Sequence, residues 1–183
     1  MQPPGDDDAC TVFDGPRRIA AGPLERASVA ARAALARGGQ VLIFDDATGG
    51  VIDLDLRAAA PPARRPGRPK LGVESREVTL LPRHWAWLNG QPGGASAALR
   101  RLVEAARRES AGPDAARRAQ EAAYRFVTTM AGDAPGYEEA TRALFAKDRR
   151  RFSEMSEAWA PDVRDHARAL AGRTFDAFEA VGS

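Results

Sequence analysis

The chain of 183 residues predicts an α+β fold in four parts. Residues 10–57 form a small unit of β-hairpins and one helix. Residues 58–74 form a basic, proline-rich linker, residues 75–110 a strand–helix–helix segment, and residues 113–181 a C-terminal helical bundle. Three observations predict this order. Short apolar runs bounded by glycine and aspartate fill the first part, which is strand and turn chemistry. Four prolines stand between Pro61 and Pro69, where no helix survives. Beyond Pro113, apolar residues recur every three or four positions, the spacing of one helix face.

The elements follow in order. Cys10–Phe13 and Arg18–Ala21 are strands around the turn Asp14-Gly15-Pro16. Leu24 to Arg37 is a helix whose apolar face carries Val29, Ala33, Leu35 and Ala36, stopped by Gly38-Gly39. Val41-Leu42-Ile43-Phe44 is a buried strand. Asp45 to Gly50 is a turn, and Val51 to Leu56 returns as a half-buried strand with Ile52, Leu54 and Leu56 on one face. After the linker, Glu77–Leu81 reads as a strand. Pro82 suits a first helical position, and the helix runs to Asn89. Gly90 to Gly94 break it. Ser96 is placed as the N-cap of a second helix, Ala97 to Arg108, with Leu99, Leu102, Val103 and Ala106 as its apolar stripe. Trp85 and Leu88 face inward, and Trp87 projects elsewhere, free to stack on a base or a partner.

The remaining chain predicts four helices. The first spans Pro113–Met130 and carries Ala122, Ala123, Phe126 and Val127. The second is marked by Tyr137, Ala140, Leu144 and Phe145, and the third by Phe152, Met155 and Trp159. The last starts at Pro161, with Val163, Leu170 and Phe178 apolar. Short breaks imply antiparallel packing.

Composition excludes several classes. No apolar run reaches the roughly 20 residues that span a bilayer, so no membrane association is expected. The acidic start, with Asp6, Asp7 and Asp8, lacks the features of a secretory signal, so the expected location is the cytoplasm. One cysteine, Cys10, and two histidines make a protein-built transition-metal site improbable, and Cys10 reads as a small core hydrophobe. No cofactor is expected. Asp45, Asp46, Asp53 and Asp55 could hold Mg²⁺ or flank a substrate, but they have the composition of an ordinary turn and a wet strand face. No phosphate-binding glycine loop or nucleophile elbow accompanies them, so an enzyme is not expected.

Charge is unevenly distributed. Residues 57–108 carry 11 basic and 3 acidic side chains, net +8, between flanks of net −4 and −2. A basic middle of this kind attracts polyanions. The candidate nucleic-acid-binding residues are Arg64, Arg65, Arg68, Lys70, Arg76, Arg83, Ser96, Arg100 and Arg101.

Two resemblances bear on that middle. Arg64-Arg65-Pro66-Gly67-Arg68-Pro69-Lys70 resembles an AT-hook, a thin proline-fixed strand whose arginine enters an A·T-rich minor groove. Glu77 to Arg108, with Pro82, Gly93-Gly94, Ser96 and Leu99-Arg100-Arg101-Leu102-Val103, resembles the ribbon-helix-helix module. That resemblance implies a homodimer paired through the strand Glu77–Leu81, with the second helix's N-terminus on a phosphate and Arg76 and Arg83 flanking. Over its full length the chain also resembles a bacterial domain-of-unknown-function family, number twenty-two thirty-nine. The blocks that carry this are Gly67 to Val73, Arg76 to Trp85, Pro92 to Ser96 and Asp165-His166-Ala167; the family implies no activity. The leading expectation is a DNA-binding protein, with transcriptional regulation as the role that follows. The alternatives are an adaptor for another protein and, least favoured, a small enzyme using the acidic hairpin.

Overall fold

Alternation in the first strand decides the architecture. In the computed structural model, which describes residues 9–53 and 76–182, strand β1 (Ala9–Asp14) is buried on both faces. β2 (Arg17–Pro23) and β3 (Val41–Asp45) flank it, giving an antiparallel sheet of order β2-β1-β3. Successive side chains point to opposite faces. Cys10, Val12 and Ile43 therefore meet one helix, α1 (Leu24–Leu35), through Ala27 and Ala31. Phe13 and Phe44 point the other way, into a larger helical core.

That core is built by α3 (Gly94–Ala131, its part beyond residue 112), α4 (Tyr137–Ala146), α5 (Arg149–Met155) and α6 (Pro161–Gly182). Phe126, Val127, Leu144, Phe152, Trp159, Val163, Leu170 and Phe175 fill it. Polar tethers fix the helices. The Trp159 indole N–H donates to Pro135 O at 2.9 Å, and Gln120 Nε2 donates to Leu144 O at 3.1 Å. The Asp148 carboxylate caps α5 by accepting from the Arg151 amide at 2.9 Å. Gly49 lies at φ +65, and a Cβ there would overlap the carbonyl oxygen of Ala122. Only glycine lets the turn after β3 rest on α3.

The described residues divide into two compact units, one of 9–53 with 112–182 and one of 76–111. The second contains α2 (Pro82–Asn89) and the first part of α3. Pro82 occupies the first helical turn as its fixed φ favours.

Six expectations are corrected. Residues 77–81 belong to no strand. Within one chain they find no ladder partner, and a strand needs one. Ser96 is not an N-cap: α3 starts at Gly94, whose amide bonds Gln91 O at 2.9 Å. The helix does not break near Arg108 but runs through Pro113. Alanines on both sides favour the helix, and one proline removes only one donor. On α1, Val29 and Leu35 face solvent, while Ala27, Ala31 and Ala34 are buried. Small side chains let the helix lie close on the sheet. Leu102 and Val103 are 48% and 54% exposed. Two helical stretches are too small to enclose an apolar stripe. Finally, the second hairpin is shorter than expected: Val51 forms a single bridge to Phe44, and Ile52 N bonds Ile43 O at 2.8 Å. Leu54 and Leu56 lie outside the described residues.

Candidate nucleic-acid interface and a buried polar centre

Four of the described basic residues between 76 and 108 lie on α3. Each residue of an α-helix turns by about 100°, so Arg100, Arg101, Arg107 and Arg108 share an arc of about 120°. Ala98, Leu99, Leu102 and Ala106 lie opposite. Arg100 Nε donates to Ser96 O at 3.2 Å and Arg101 Nη1 to Pro92 O at 3.1 Å. Arg108 Nε donates to Glu104 O at 3.3 Å. Among the described residues, only Arg107 of these four pairs with a carboxylate, that of Glu104 at 2.9 Å. The carbonyl contacts of the other three orient their guanidinium groups without neutralising their charge. Arg83 and Arg76 are exposed, at and just before the first turn of α2. Ser96 is exposed in the first turn of α3, and its carbonyl rather than its hydroxyl makes the contact described above. Arg64, Arg65, Arg68 and Lys70, with the AT-hook resemblance, lie outside the described residues.

On the face of α3 opposite this stripe, Leu80, His84, Trp87, Leu88, Leu99 and Leu102 line a shallow apolar groove of about 270 Å³. Trp87 is 54% exposed, as its spacing from Trp85 and Leu88 implies. Leu88 is buried, whereas Trp85 remains partly exposed.

The other unit holds a centre that sequence reasoning missed. Asp46 and His166, 8% and 6% exposed, are brought together from the end of β3 and from α6. The Thr11 hydroxyl donates to Asp46 Oδ2 at 2.9 Å. His166 Nε2 faces Asp46 Oδ1 at 3.5 Å, and among the described residues neither atom has a hydrogen-bond partner. Arg173 Nη1 donates to the Asp46 carbonyl at 3.1 Å. Aromatic rings of Phe13 and Phe126 pack against the imidazole, with centroids at 5.7 and 4.6 Å. Burial, then the positive Arg18 and Arg173, push the His166 pKa down to about 4, so the ring is neutral. Burial also raises the Asp46 carboxyl, against the lowering effect of the Thr11 bond and of Arg173. A charged histidine would form an ion pair here, but desolvation and two nearby cations outweigh that gain. Nε2 is thus sealed from solvent and aimed at the Asp46 carboxyl.

The acidic hairpin takes structural positions. Asp45 Oδ1 accepts from the amides of Ala47 and Thr48 at 2.9 and 2.8 Å, an Asx turn. Asp53 is exposed, and Asp55 lies outside the described residues. Among the described residues no cluster of three histidine, cysteine or acidic side chains could hold a metal, and no helix is long and apolar enough to cross a membrane.

Fold and site together define an α+β protein with a buried histidine–aspartate centre and an arginine-striped helix pair. The chain belongs to the bacterial family described as uncharacterized protein conserved in bacteria, DUF2239, whose model matches residues 9–171. No curated protein and no solved structure matches it, so neither comparison supports the ribbon-helix-helix resemblance.

Proposed function

We propose that this protein binds nucleic acid, DNA first of all, by its phosphates and through the arginine stripe of α3. The observation that carries this reading is the stripe itself: Arg100, Arg101 and Arg108 bond main-chain carbonyls instead of carboxylates. Arg83 and the basic residues 64–70 add charge to the same segment. Without a strand at 77–81, no element among the described residues offers base edges a row of hydrogen-bonding side chains, so contacts to phosphates dominate and sequence preference is weak. A role in transcription would follow from occupancy of DNA.

The test is fluorescence anisotropy with a labelled duplex at two salt concentrations. Affinity should fall steeply with salt, as release of counterions requires. Arg100→Gln and Arg101→Gln should each weaken binding and reduce the salt slope by about 1. Absence of binding at low salt, or variants that bind like the parent chain, would end the proposal.

The exposed Leu102, Val103 and Trp87 favour a second reading, an adaptor whose α2–α3 face pairs with a protein, a second copy of this chain included. Sedimentation would show a dimer that Leu102→Glu dissociates; a monomer at every concentration removes self-pairing.

A further inference from the structure

The unit of residues 9–53 and 112–182 carries a cleft that the nucleic-acid reading does not use. It has a volume of about 410 Å³, and three elements wall it: the turn after β3, α3 and α6. That volume falls in the range of small-molecule sites, about 300–1,000 Å³. Thr48 stands on the turn, Arg118 on α3 and Arg173 on α6, while Ala119, Ala122 and Leu170 supply an apolar floor. The alanines leave room where larger side chains would fill it.

The two arginines stand out from their neighbours. Residues 112–182 contain ten arginines. Eight pair with carboxylates: Arg117, Arg125, Arg142, Arg149, Arg150, Arg151, Arg164 and Arg168. The two that make no such ion pair among the described residues, Arg118 and Arg173, are the two that line the cleft. Arg173 is held by its bond to the Asp46 carbonyl, and the Asp46 carboxylate is turned to Thr11 and His166. The cleft therefore offers two guanidinium groups and the Thr48 hydroxyl, whose oxygen already accepts from the Gly50 amide at 3.3 Å and whose proton is left to donate.

We infer that this cleft binds a small organic anion. Its carboxylate or phosphate head lies between Arg118 and Arg173, and a short apolar body lies on Ala119, Ala122 and Leu170. Guanidinium groups suit such heads because their paired N–H donors match two oxygens of one oxyanion. Gly49 keeps the turn seated on α3, so the wall bearing Thr48 is fixed before the ligand arrives.

The inference rests on this unit alone and is independent of DNA binding. Titration calorimetry on the full chain, with phenyl phosphate and with benzoate, tests it. Saturable binding of one probe is expected, and the tighter probe identifies the head group. Arg118→Gln should weaken binding about tenfold or more. Arg118→Lys should be intermediate, and Arg125→Gln, away from the cleft, unchanged. Among the described residues Arg118 pairs with no carboxylate, so both of its variants should fold. Absence of saturable binding for both probes, or an Arg118→Gln variant that binds as the parent chain does, would overturn the inference.

Discussion

The two units use one amino-acid vocabulary, rich in arginine and alanine, to opposite ends. Beyond residue 112, acidic residues recur three or four positions from arginines, so helix-face pairs such as Arg142–Glu139 and Arg150–Glu154 neutralise them. Between 76 and 111, Glu104 alone sits among the arginines of α3, and it pairs with Arg107. The apolar residues divide in the same way. One unit closes Phe13, Phe44 and Phe126 inside, and the other leaves Trp87, Leu102 and Val103 outside. The difference teaches that ion pairing and enclosure, more than total charge or hydrophobic fraction, set the two units apart.

The contrast in enclosure gives the largest expected effect. Phe126→Ala removes a ring packed against Phe13 and Phe44, with centroids at 5.5 and 4.9 Å. It should cost about 3–5 kcal/mol in urea unfolding of its unit. Leu102→Ala, at a half-exposed position, should cost less than about 1 kcal/mol. Equal costs would mean that the α2–α3 face is covered in solution. Gly49→Ala comes next, at about 3 kcal/mol, because it forces a side chain into a left-handed backbone and against the Ala122 carbonyl.

The buried centre adds a dependence on pH. His166 is neutral in the folded chain down to about pH 4, whereas an unfolded histidine takes up a proton near 6.5. Between these values the unfolded state binds more protons, so stability falls as pH drops through that window. The full effect is up to about 3 kcal/mol. Asp46 opposes it. Its raised pKa means that the folded state protonates first, and acid favours the fold over that interval. Asp46→Asn should therefore steepen the acid loss, and His166→Phe should flatten it. Circular dichroism melts at pH 7 and pH 4.5 measure both. Parallel curves for all three proteins would exclude a neutral buried histidine.

Much of the first unit was legible because two-residue periodicity is local: β1, β2, β3 and α1 fall within a few residues of their expected limits. The face of α1 was not legible, since an alanine face announces itself only by what packs on it. The start and length of α3 were hidden by Ser96 and Pro113, each a good signal that context overrode. The polar centre joins residues 120 positions apart, beyond the reach of any spacing rule. Weaker signals existed. Alternation through Leu42, Phe44 and Asp46 puts that aspartate on the inward face. Val163, His166, Ala167 and Leu170 share one stripe of α6, so the histidine stood among core positions all along.

Glu104 sharpens the comparison with the smallest change. It lies within the arginine arc of α3, and its carboxylate holds Arg107 at 2.9 Å with both side chains largely exposed. An exposed pair of this kind contributes about 0.5 kcal/mol to a helix, so Glu104→Gln should leave unfolding almost unchanged. Its effect on a polyanion is different in kind. The substitution removes the only negative charge in the stripe and frees Arg107, raising duplex affinity about two- to threefold at low salt and steepening the salt slope. The matching change beyond residue 112, Glu121→Gln, frees Arg125 on a surface where, Arg118 apart, the surrounding arginines remain paired, and duplex affinity should not move. If both variants gain affinity alike, binding follows net charge and the stripe has no special role. If only Glu104→Gln gains, the placement of the arginines, more than their number, is what the nucleic acid meets.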